Sequence, residues 1–265
     1  MDRTTRPVCV ALLVCVAVLP AVAAQTPEAT GLAIAREADR RHSGYGDLTA
    51  RLTMILRNRQ GQTSERQMRV RTLEVEGDGT RSLCIFDSPM DVKGTILLTH
   101  SRKSAEDGQW LFLPALKRVK RIAAQNKSGS FMGSEFSYED IAVEALEKYS
   151  YKWLRDESHD GHDCFVIERT PIAGSHSGYT RQVVWIDKAE YRMVKVDYYD
   201  RKRSLSKTLT FKSWTRHRDR FWRAGQMDMV NHQTGKSSRL IWSGFEFGTG
   251  LTEADFNRNV LTRIR

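Results

Sequence analysis

The side chains best suited to chemistry cluster in two short stretches of this chain. His159, His162, Asp163 and Cys164 fall within the six residues HDGHDC, and all four are metal-ligating types. Ser130 and Ser134 lie in GSFMGS, a glycine–serine texture superficially like that of a nucleophile turn. Neither reading is favoured. Asp160-Gly161 sits inside the first group and divides two segments as a turn would, so a polar hairpin loop is the plainer interpretation. GSFMGS does not match G-x-S-x-G, and no strand runs directly into it. The sequence contains no P-loop, dinucleotide fingerprint or HExxH. The expectation is a non-enzyme, with no catalytic residue, bound metal or cofactor.

The elements that would position other groups are easier to read. Thr26-Pro27-Glu28 is a helix start, an N-cap hydroxyl followed by proline at the first helical position. Gly31, Ile34, Ala35 and Ala38 share one face of that helix, which should fade near Ser43-Gly44. From Gly46 the period changes to two. Leu48, Ala50, Leu52, Met54 and Leu56 point one way, and Thr49, Arg51, Thr53 and Arg57 the other, with Ile55 the exception. NRQG at 58–61 turns the chain, and Met68 and Val70 then share a face. GDG at 77–79 is a second turn. Further strands are expected near 81–86, 94–100, 109–113, 163–170, 181–187, 191–199, 205–214, 220–230 and 237–243, with a turn at 187–190. Many short strands with one-sided alternation indicate a large antiparallel sheet or barrel. Two segments depart from strand character, 124–155 and 251–264. Ser137-x-x-Asp140 should cap a short helix through Ile141, Ala142 and Leu146, and Thr252-x-x-Asp255 a closing helix containing Phe256, Val260 and Leu261.

Arg3 and Arg6, an apolar run from Val8 to Val22 and the small residues of AVAAQ form a secretory signal peptide over 1–24, cleaved after Ala23 or Ala24. Residues 25–265 then form a single domain that is soluble after export. The formal net charge of +10 and a pI of about 9.6 suit a polyanionic partner. Export argues against nucleic acid and leaves an anionic membrane surface or an acidic protein. Cys9 and Cys15 leave with the signal peptide. Cys84 and Cys164 remain in an oxidising compartment, where they could pair or stay as small buried hydrophobes.

The least regular stretch is GSFMGSEFSYEDI at 129–141, which carries the aromatics Phe131, Phe136 and Tyr138 and the glycines Gly129 and Gly133. It follows Lys117, Arg118, Lys120 and Arg121. If extended, those four put cations on both faces, so they must lie at a rim or in an exposed loop. There they form either a solvated turn or a contact for an anionic head group or acidic partner.

GQWLFLPALKRVKRI followed by GSFMGSEFSYEDI resembles the outer-membrane lipoprotein-sorting proteins, periplasmic relatives of the Lol lipoprotein carriers. The matching residues are Trp110, Leu113, Pro114, Lys117, Arg118, Arg121, Gly133, Ser134, Phe136, Ser137, Tyr138 and Asp140. The resemblance implies a mainly β fold with α elements, a curved antiparallel sheet forming an incomplete barrel plugged by short helices. It also implies a periplasmic carrier or chaperone for a lipid, lipoprotein or other hydrophobic cargo, touching membranes transiently and working with an envelope transporter of the resistance-nodulation-division type. On that reading Leu48, Leu52, Met54, Leu56, Trp110, Leu209 and Phe211 line a cargo site, and Phe131, Phe136 and Tyr138 serve as its movable lid or as permanent core. Lys117, Arg118, Lys120 and Arg121 would hold a head group or partner. The alternative is a non-carrier accessory subunit that binds an exporter or envelope assembly through its basic rim.

Overall fold

A computed structural model of the chain describes Met1 and residues 25–143 and 145–264. The signal-peptide reading and cysteines 9 and 15 fall outside the described residues. Helix α1 (Pro27–His42) begins where the sequence places it, with the Ala29 amide donating to Thr26 Oγ1 at 3.2 Å. Gly31, Ile34, Ala35 and Ala38 are its buried face.

Thirteen strands follow: β1 (Asp47–Arg57), β2 (Thr63–Val75), β3 (Gly79–Ser88), β4 (Ile96–Arg102), β5 (Gly108–Leu113), β6 (Arg118–Ile122), β7 (Tyr149–His159), β8 (His162–Pro171), β9 (Tyr179–Asp187), β10 (Met193–Asp200), β11 (Leu205–His217), β12 (Phe221–Asn231) and β13 (Ser237–Phe247). They build one curved antiparallel sheet in the order β6-β5-β4-β3-β2-β1-β13-β12-β11-β10-β9-β8-β7. The chain enters at the middle, walks out to β6, crosses to β7 and walks back until β13 pairs with β1. The edges β6 and β7 do not pair with each other, so the barrel stays open.

The sheet buries both of its faces. On the inner face Leu52, Met54, Met68, Val70, Cys84 and Phe86 belong to the main core. On the outer face of β3–β5, Leu83, Ile85, Ile96 and Leu98 pack under Phe256 and Leu261 of the C-terminal segment. A third cluster, on β8–β10, contains Cys164, Val166 and Trp185. Here Lys195 lies 4.0 Å from the Trp185 ring centre, and the Arg181 guanidinium lies 3.8 Å from that of Tyr199. Part of the basic excess thus covers aromatic surface. The two cysteines are free and occupy separate clusters, and burial pushes the Cys84 thiol up to about 12.

Several elements differ from the sequence reading. Residues 149–155 belong to edge strand β7, where Tyr149, Tyr151 and Trp153 alternate with polar side chains. Residues 118–122 are an exposed edge strand, the one place where an extended run of cations on both faces stays wet. Helix α2 (Tyr138–Ile141) stops before Leu146, which opens a separate 3-10 turn, and the closing segment is two 3-10 turns. The HDGH stretch, by contrast, is the hairpin the sequence suggested, a tight β7–β8 connection in which His159 faces His162 and both Asp160 and Gly161 have positive φ.

Candidate ligand cavity

α1 lies along the β7 edge at very close range. A Cβ on Gly31 would stand 2.6 Å from the backbone of Lys152 and Trp153, so only glycine permits this approach. Farther along, Ala35 and Ala38 face the sheet without filling the space beneath them. The result is a cavity of about 560 Å³ between α1, residues 142, 143 and 145–147, and the inner face of β8–β12. Its floor includes Ile167, Val184, Ile186, Val196, Leu209 and Phe211. Asp39, Glu74, Arg102, Lys103 and Glu147 also line it, bringing charge of both signs.

Leu209 and Phe211 line this space. Leu48, Leu52, Met54 and Leu56 share the inner face but lie on β1, outside the cavity lining. Leu56 instead borders a separate surface cleft with Gly133 and Glu135. Phe131 and Phe136 are each 1% exposed and sit in the main core, with Phe131 5.8 Å from Phe86 and 5.7 Å from Tyr138 between ring centres. Tyr138 is half-buried against the same core. Trp110 is on the outer face, packed against the cluster of Phe256 and Leu261. Lys117 ends the turn after β5, and Arg118, Lys120 and Arg121 are exposed along β6.

The 129–141 segment is held by a dense polar network. Ser137 and Asp140 form a capping box, with Ser137 N donating to Asp140 Oδ2 at 2.7 Å and Asp140 N to Ser137 Oγ at 3.2 Å. The buried Asp140 carboxylate also accepts from the Tyr179 hydroxyl at 2.9 Å and from Lys207 Nζ at 3.1 Å. Burial, reinforced by that carboxylate, drives the Tyr179 pKa well above its ordinary value, so the phenol remains a donor. Lys207 Nζ donates to the Glu135 carbonyl as well, at 2.9 Å, and Asn231 Nδ2 donates to the Glu135 side chain at 2.6 Å. Ser134 is buried and donates to the Phe131 carbonyl at 2.7 Å. Among the described residues there is no group of three or more His, Cys, Asp or Glu side chains placed to hold a metal, and no helix long and apolar enough to cross a membrane.

Sequence reasoning missed the cavity-lining side of α1 and the floor supplied by β8–β10. The strands themselves were legible, but β9 is buried on both faces, so alternation could not show which residues face inward. Ala35 and Ala38 looked like ordinary core positions.

The structure is an open half-barrel with a largely apolar cavity beneath a helix, a carrier-type fold. Comparison places the chain more closely. A family model described as "Uncharacterized protein" matches residues 78–263. A domain from Vibrio parahaemolyticus assigned as an outer membrane lipoprotein-sorting protein is 55% identical, covering 88% of this chain and 99% of that one, with a TM-score of 0.86. A DUF1329 family protein from Desulfovibrio piger is 31% identical over 89% of this chain and 100% of that one, with a TM-score of 0.84. The chain belongs to the outer membrane lipoprotein-sorting protein family. The LolA superfamily protein of Nitrosomonas europaea shares the fold at 20% identity, covering 89% of this chain and 99% of that one, with a TM-score of 0.70. No curated protein gives a significant match.

Proposed function

We propose that this protein is a periplasmic carrier that shelters the acyl portion of a lipid or lipoprotein in the cavity under α1. The observation that carries the reading is the cavity itself, about 560 Å³ with an aliphatic floor. That volume lies within the range of about 300–1,000 Å³ typical of small-molecule sites. Each methylene removed from water there contributes about 0.8 kcal/mol. Leu209 and Phe211 are floor residues, whereas Phe131 and Phe136 act as a fixed plug that holds the curvature of the sheet. The β5–β6 edge is the membrane-facing rim: Leu116 is 63% and Val119 41% exposed, interleaved with Lys117, Arg118 and Lys120. Apolar side chains set among cations suit an anionic bilayer surface. The transporter that supplies or accepts the cargo is part of this proposal and is carried by the family resemblance alone.

The test is titration of the intact protein with an environment-sensitive acyl probe, followed by displacement with phospholipid and with a lipidated peptide. Saturable binding is expected, weakened at least tenfold in Phe211→Glu, a half-buried floor position, in variant protein shown by urea melts to be folded. Folded wild-type protein that shows no saturable binding would overturn the carrier reading and leave the accessory-subunit alternative.

A further inference from the structure

On the outer face of the sheet, three arginines distant in sequence line one cleft of about 440 Å³. Arg102 ends β4, Arg121 lies in β6 and Arg258 opens the C-terminal turn over 258–262. Alternation along β6 explains why Arg121 joins them. Arg118 and Lys120 pair with Leu113 and Leu111, whereas Val119 and Arg121 pair with Phe112 and Trp110 of the outer cluster. The basic edge is therefore two surfaces, and Arg121 belongs to the one away from the cavity.

Among the described residues none of the three guanidinium groups has a carboxylate partner. Glu106 is the only acid among the described residues lining the cleft, and it lies 3.7 Å from His176. Among the lining residues three arginines face one acid, an excess of two positive charges in a concave setting that concentrates an anion.

The floor is built to hold this arrangement. Trp110 folds back over Gly108, where a Cβ would stand 2.3 Å from Trp110 Cη2. The Arg258 guanidinium lies 5.5 Å from the centre of the Trp110 ring. His100 meets the same ring edge-on at 5.1 Å, and its Nε2–H donates to the Phe256 carbonyl at 2.8 Å. That bond tethers the turn that carries Arg258. Burial, with repulsion from Arg81 and Arg102, pushes the His100 pKa down, so the ring serves as a neutral strut.

We propose that this cleft is a second binding site that takes a phosphoryl group, held by Arg102, Arg121 and Arg258. Guanidinium forks match phosphate oxygens in pairs. A dianionic phosphoryl group balances the two open charges, whereas a lone carboxylate does not. The cleft opens on the outer face and shares only Arg102 with the lining of the cavity, so it does not depend on the carrier reading.

Calorimetric titration of the intact protein at low ionic strength with sodium pyrophosphate and glycerol 3-phosphate tests the proposal, with sodium acetate as the carboxylate control. Saturable binding of the phosphoryl probes is expected, at least tenfold tighter than acetate. Arg121→Gln and Arg258→Gln should each weaken it at least tenfold, and the distant Arg201→Gln/Lys202→Gln control should stay within twofold. Gly108→Ala should also weaken it while leaving acyl-probe binding intact; if that variant fails to fold, Arg258→Gln decides. Phosphatidylglycerol vesicles identify the source. Attachment that is lost in Arg258→Gln and competed by glycerol 3-phosphate assigns a lipid head group. Binding of the soluble probes with vesicle attachment unaltered in that variant assigns a free phosphate compound. Absence of saturable binding to either phosphoryl probe, or equal loss in the distant control, overturns the site.

Discussion

Phe136→Ala separates a fixed plug from a moving lid. Phe136 is 1% exposed, lies in the main core and does not line the cavity. Its backbone carbonyl accepts from the Phe131 amide at 2.7 Å, so the two aromatics are locked in one small loop. Truncating such a side chain costs about 3–5 kcal/mol. In a chain of this size each 1 kcal/mol moves the melting temperature by about 2–4 °C, which predicts a fall of about 6–20 °C. Urea melts followed by tryptophan fluorescence should show a lower midpoint with an unchanged slope. Acyl-probe release, measured well below the variant's melting range, should stay within twofold of wild type. A loss of less than about 1 kcal/mol together with tenfold faster release would refute the plug and make the segment a lid.

Ala38→Phe places bulk in the cavity from the helix side. Probe affinity should fall at least tenfold while the melting temperature is unchanged or raised; unaltered affinity would mean the acyl group sits elsewhere. Lys207→Met strands the Asp140 carboxylate, which is 1% exposed, and should cost about 3–5 kcal/mol. Adding Asp140→Asn should recover part of that loss in denaturant melts, and a double variant as unstable as the sum of the singles would argue against coupling. His42, His100 and His217 have pKa values pushed down, with burial the leading cause of each. The unfolded chain then binds protons first, so their contribution to stability is present above about pH 6.5 and lost as pH falls. The urea midpoint should be lower at pH 5.5 than at 7.5, and His42→Gln should flatten that slope; a midpoint that rises on acidification contradicts the reasoning.

Legibility from sequence tracked how many faces of an element are buried. β1 was readable to the residue because one row, from Leu48 to Met54, is buried and the opposite row stays wetter. β7 was not, because an edge strand with a wet face carries Lys152, Arg155 and Asp156 among its aromatics and reads as loop. Both capping boxes were visible, since Ser137, Asp140, Thr252 and Asp255 act over four residues. The lengths of the helices they open were not, because those depend on what packs above them. The arginine cleft was invisible for a different reason. Its members are 19 to 156 positions apart and meet only through the β4–β6 register and the return of the C-terminal segment.

The position of the cavity follows from side-chain size on two coverings of one concave surface. Over β2 and β3 the 129–141 segment inserts phenylalanine rings beside Phe86, and the space is filled. Over β8–β12 the covering is α1, whose sheet-facing residues are Gly31, Ala35 and Ala38 beside a single Ile34. Gly31 draws the helix backbone onto the β7 backbone, fixing its height, and the alanines then fall short of Val184, Ile186 and Leu209 below. Protein interiors seldom leave apolar space unpacked, because unfilled walls forfeit dispersion contacts. Here the shortfall is set by residues on a helix packed against an edge of an open sheet. On the carrier reading proposed above, a ligand that enters recovers those contacts and leaves again without disturbing the Phe131 and Phe136 packing over the other half of the sheet.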